Sequence, residues 1–95
     1  MAVYLLETYM PGSSEADLAH LGERLREVAH AIFQDGLRVR YLRSTYVPED
    51  ETCFHYVEAS TASEAELFAQ RAEVSYDRIL EARNVAVPTK GDHDD

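Results

Sequence analysis

Cysteine occurs once in these 95 residues, at Cys53, so no internal disulfide can form. A lone thiol suits a reducing cytoplasm. No stretch approaches the ~20 consecutive apolar residues of a membrane-spanning helix. The opening segment MAVYLLETYMPG has no basic n-region, and its apolar run is too short for a signal peptide. The expectation is a soluble, cytoplasmic protein with no membrane partner. Positive charge is scarce as well. Nine Lys and Arg stand against eighteen Asp and Glu, a formal net charge of −9. The stretch 89–95 holds one Lys and three Asp, which leaves −7 on the rest. Such a field repels phosphate backbones, and no basic stripe interrupts it, so nucleic acid is not an expected partner. The four glycines are scattered, so there is no phosphate-binding loop. No Ser-His-Asp arrangement follows from spacing.

What is present fits one domain. A chain this short buries only about 60–65% of the surface it exposes when unfolded, so covering a sheet face with a second copy would help it. The stretch 3–9 is rich in Val, Leu and Tyr and ends at Pro11 and Gly12, which reads as a first strand. Ser13 or Ser14 can cap a helix whose first turn carries acids. Leu18, Leu21, Leu25, Val28 and Ile32 then recur at spacings of three and four, one apolar stripe that Gly36 ends.

The stretch 37–47 reads as a second strand, 48–51 as a turn and 52–59 as a third strand, together an antiparallel hairpin. Thr61 with Glu64, or Ser63 with Glu66, can form a capping box before a helix. That helix has a narrow face of Ala65, Phe68, Ala69 and Ala72. A last strand lies within 77–87. The domain spans 1–88, and a disordered acidic tail is expected over 89–95. The order β-α-β-β-α-β predicts a ferredoxin-like α+β fold. Its four-stranded antiparallel sheet has strand order 4-1-3-2, with two helices on one face.

Strand side chains alternate between faces. Pairing Val47 with Thr52 sets Ser44 opposite His55 and Arg43 opposite Tyr56. One face then holds Leu6, Leu42, Ser44, Tyr46, Cys53, His55, Val57, Ala59, Leu80 and Ala82, with no formal charge. The other holds Leu5, Glu7, Tyr9, Tyr41, Arg43, Thr45, Phe54, Tyr56, Glu58, Glu81 and Arg83. Burying an unpaired charge costs several kcal/mol, so the helices belong on the uncharged face. Aromatics among the charges of the second face fit a dimer cleft or a ligand floor. That cleft would be lined by Tyr9, Tyr41, Arg43, Tyr56, Glu81 and Arg83.

Glu7, Glu58 and Glu81 share that open face on neighbouring strands. They either pair with Arg43 and Arg83 in a surface network or attract a cation. His55 is either a core histidine satisfied by a hydroxyl or backbone group, or a ligand or general base. His20 and His30 are ten residues apart, too far for an intrahelical metal pair. Cys53 has no CxxC partner and reads as a small buried residue. His93, among Asp92, Asp94 and Asp95, could hold a metal loosely, although such tails are usually only solvated.

The segments VYLLETYMPG, STYVPEDETCFHYVEA and YDRILEA, with their spacing, cover most of residues 3–85. On these the chain resembles a family of small nickel-binding proteins of ferredoxin-like fold. The resemblance implies a homodimer that binds nickel, and the composition of the open sheet face makes that face the expected dimer surface. The metal-site residues it suggests are Glu7, Glu58 and His55. Glu7 and Glu58 match acids of the family pattern. Ser44 stands where a strand-two histidine is expected, and His55 where a cysteine is expected. A divalent-metal-binding homodimer therefore ranks first. A cofactor-free enzyme of the dimeric α+β barrel class, of monooxygenase or isomerase type, rests on fold analogy. Arg43 would hold an anion there and Glu58 would move a proton, beside Tyr41 and Tyr56. A non-catalytic module docking a basic protein is the third expectation.

Overall fold

Of the two expected caps, Ser14 starts helix α1 (Glu15–Gln34), with a full capping box. Its hydroxyl accepts from the Asp17 amide, and the Asp17 carboxylate accepts from the Ser14 amide. At the other end Gly36 sits at a φ of 98°. The Gly36 amide donates to Phe33 and the Leu37 amide to Ile32, a Schellman closure that only a left-handed residue allows. Helix α2 (Ala62–Arg71) is capped by Thr61, whose hydroxyl accepts from the Glu64 amide. It closes in the same way at Glu73 and Val74, but Glu73 occupies the left-handed position at a φ of 57°. An L-residue is strained there and glycine is not. Glu73→Gly is expected to raise stability by about 1 kcal/mol, read as a higher urea midpoint at unchanged slope.

The computed structural model describes residues 1–88. The tail expected over 89–95, with His93, lies outside the described residues. Strands β1 (Ala2–Tyr9), β2 (Val39–Val47), β3 (Thr52–Ala59) and β4 (Arg78–Ala82) complete the β-α-β-β-α-β order. They form one antiparallel sheet in the order β2-β3-β1-β4, the arrangement expected from the sequence.

Helix α1 packs on β2 and α2 on β3. The core lies between the helices and one sheet face. Leu25, Ala29, Ile32, Ala65, Phe68 and Ala69 meet Tyr4, Leu6, Val39, Val57 and Ala59 there. Arg24 donates through Nε to the Ala72 carbonyl at 3.0 Å, which ties the first helix to the end of the second. Buried Thr8 satisfies its hydroxyl on the Ser75 carbonyl at 2.9 Å.

The hairpin register holds as expected, with Val47 opposite Thr52, Ser44 opposite His55 and Arg43 opposite Tyr56. Two placements differ. A β-bulge between Tyr41 and Arg43 leaves Leu42 without a Cα partner and sets Tyr41 opposite Val57. Tyr41 therefore joins the helix-covered side and packs on the core, instead of lining the open face. One inserted residue reverses the alternation for everything beyond it.

In β4, Leu80 pairs with Leu5 and Ala82 with Val3, so both belong to the open face. Ile79 packs on the core, and Glu81 pairs with Tyr4 on the covered side. β4 is an edge strand, so the exposed Glu81 carboxylate still reaches water. The Asp77 amide donating to the Glu7 carbonyl at 2.7 Å fixes this register.

Candidate functional site

Two groupings of polar side chains stand out, one on each side of the sheet. The first lies on the helix-covered side, half-buried at Tyr41 and Ser44 and buried at His55 and Cys53. Ser44 and His55 face each other across β2 and β3, and the Ser44 hydroxyl lies 2.7 Å from His55 Nδ1. The Tyr41 hydroxyl lies 2.6 Å from the same Ser44 oxygen. The bulge makes this contact, because it turns Tyr41 onto the covered face with Ser44. Gly22 on α1 lies beside the phenol, where a Cβ would touch the Tyr41 oxygen at 3.4 Å. Cys53, two residues along β3, has its sulfur 3.8 Å from His55 Nδ1.

His55 is fully buried and its Nε2 has no hydrogen-bond partner. Burial penalises the imidazolium and lowers the His55 pKa to about 4, so the ring is neutral at pH 7. Two proton orders satisfy the chain. Tyr41 can donate to Ser44 and Ser44 to Nδ1, or the direction reverses. Either way Nε2 is left alone, at a cost on the order of 1–3 kcal/mol. This is a core histidine held by a hydroxyl. As a general base it is too weak for pH 7 and closed to a substrate. Burial also raises the Cys53 thiol pKa, opposed by the Ser44 hydroxyl, so the sulfur stays protonated.

The second grouping lies on the open face. Arg78 bonds Glu7 at 2.9 Å and Arg40 bonds Glu58 at 3.1 Å. Arg43 lies over the Tyr56 ring, 4.0 Å from its centroid, and pairs with no carboxylate among the described residues. Off this face, on the covered side of β4, Glu81 bonds Arg83, which lies beyond the strand's end, at 3.4 Å. Tyr9 is exposed at the end of β1. The acids are therefore paired, as a surface network requires. Arg40 and Arg78 hold two of them, however, where Arg43 was expected to take part. The bulge explains Arg40, because it brings that residue opposite Glu58 in place of Tyr41.

Glu7, Glu58 and His55 do not meet. The two carboxylates face outward, each in an ion pair, and His55 lies under the helices. Among the described residues no three of His, Cys, Asp and Glu gather as metal ligands. One chain's residues therefore do not fit a nickel ion at the positions the resemblance suggests. A small-molecule cleft made of Tyr41, Arg43, Tyr56 and Glu58 is also divided, since Tyr41 lies on the far side of the sheet.

The elements and their order define a ferredoxin-like α+β protein. No family model and no curated protein matches the chain. Among solved structures it is similar to the crystal structure of SCO4226 from Streptomyces coelicolor A3(2), with a TM-score of 0.72. The match has 20% identity and covers 90% of this chain and 100% of that one. At that identity the likeness carries the fold alone. Among the described residues no helix is long and apolar enough to cross a membrane.

Proposed function

We propose that this chain is a homodimeric binding domain whose two copies close their open sheet faces on each other. The observation that carries this reading is the charge and composition of that face. Leu5, Phe54, Tyr56 and Leu80 lie on it, opposite the helices. Its charged groups are Glu7 and Glu58 against Arg40, Arg43 and Arg78, a formal +1 within a chain of −9. The rest of the chain thus carries −10. Two copies meeting by their acidic sides repel over a wide surface, whereas the two open faces carry only +1 each. Face to face, each copy's Arg43, unpaired among the described residues, meets a surface that carries carboxylates. A reducing cytoplasm, where Cys53 stays a thiol, is the location this reading assigns.

A divalent metal is the second reading. Its support is the Ser44–His55 pair, which keeps an imidazole with a free nitrogen where the resemblance expects metal donors. Without a third donor in one chain it ranks below the dimer.

Solvent paramagnetic relaxation across a concentration series tests the first reading. Signals of Leu5, Phe54 and Tyr56 should become shielded as concentration rises, while Leu67, exposed on α2, stays unchanged. Shielding of Leu67 instead, or none anywhere, contradicts the dimer. Calorimetric titration of tag-free protein with nickel tests the second. Affinity no better than roughly hundreds of micromolar, unchanged in His55→Ala and Glu58→Ala, ends the metal reading.

A further inference from the structure

Positions 26, 30 and 33 of α1 recur at four and three residues, a second stripe beside the core stripe of Leu25, Ala29 and Ile32. This stripe overhangs the edge strand β2. Between them lies a cleft of about 280 Å³, at the small end of ligand-binding clefts. Its apolar lining is Ala29, Phe33, Val39 and the Tyr41 ring. Phe33 keeps 51% of its surface exposed there. The polar lining is Arg26, His30 and Arg40. No carboxylate lines the cleft, although the chain has twice as many acids as bases. The Arg26 guanidinium stands 6.0 Å from the Tyr41 ring centroid and has no carboxylate partner among the described residues.

We propose that this cleft binds a small organic anion, a carboxylate or phosphate monoester carried on a flat apolar body. The planar fork of Arg26 matches the oxygens of either anion, while Arg40 lines the cleft with Nη1 held by Glu58 at 3.1 Å. Phe33 and Tyr41 stack on the body. The hydrogen bond from Tyr41 through Ser44 to His55 holds the floor still, so little ordering remains for the ligand to impose. The cleft lies on the helix side of the sheet. Arg40 is the lining residue that the cleft shares with the open face, so the test reads Arg26, Phe33 and Tyr41, which lie on the helix side.

The test titrates the full chain with naphthoate, naphthyl phosphate and the neutral naphthamide, followed by NMR shifts. Both anions should move the Phe33 and Tyr41 ring signals and saturate. Naphthamide should bind at least about tenfold more weakly. Arg26→Gln should weaken the anions about tenfold and leave naphthamide unchanged. Arg26 is exposed, and an unchanged melting curve shows that the variant is folded. Tighter binding of the carboxylate or of the phosphate identifies the natural class, and either supports the site. Equal binding of anions and amide overturns it. So do shifts remote from Phe33 and Tyr41, and so does no saturation at millimolar concentrations.

Discussion

Acidification from about pH 7 to about pH 4 is expected to remove about 3 kcal/mol of stability through His55 alone. In the fold the imidazole is buried and its pKa falls from 6.5 to about 4. The unfolded chain takes up a proton as pH drops through 6.5, and the folded chain refuses it until about 4. Stability from this group is therefore complete above 6.5, falls across that window, and levels off below about 4. His55→Gln removes the titrating ring while offering Ser44 a polar partner. Urea unfolding of both proteins across the window should give free energies that converge as pH falls. Carboxylates such as Asp17, held low by the Ser14 amide, lose their contribution in both proteins and cancel in the difference. Parallel pH profiles would show that His55 is not shielded from water as described.

Phe68→Ala is expected to cost about 3–5 kcal/mol, a large share of the 5–15 kcal/mol typical of a small domain. The reason lies in the composition of α2. Its buried side chains are Ala65, Phe68 and Ala69, with Ala72 at the cap. Phe68 is the large one among them and is fully buried. Without it a ten-residue helix, too short to be stable alone, keeps only methyl groups against the sheet. Phe68→Leu, which keeps most of the volume, should cost about 1.5 kcal/mol or less. Amide exchange in the alanine variant should quicken first across α2, before the β1–β3 pairs. Uniform loss of protection, or a cost below about 1 kcal/mol, would mean that the helix is anchored elsewhere.

The elements were legible because their signals are local. The caps fall on Ser14 and Thr61, each one of two candidates the sequence offered, Gly36 closes the first helix, and the turn after Val47 fixes the hairpin register. His55 beneath the helices followed from sorting charged strand residues away from the covered face. Sorting failed where the period of two was broken or unanchored. The bulge at Leu42 has no sequence mark, yet it moves Tyr41 to the covered face and brings Arg40 to Glu58. In Arg78–Ala82, Ile79 and Leu80 serve either face equally, and only the pairing with β1 decides between them. The Tyr41–Ser44–His55 chain and the Arg26 cleft depend on that bulge and on helix placement, so no spacing rule reached them.

Sedimentation equilibrium of wild type beside Phe54→Lys tests the closing of one open face on another most directly. Phe54 lies mid-face, between Glu7 on β1 and Thr45 on β2. The account predicts twice the 10.8 kDa chain mass for wild type and a single chain mass for Phe54→Lys, with the same helix content. A wild type that stays at 10.8 kDa at every concentration, or a Phe54→Lys variant that keeps the doubled mass, would contradict it.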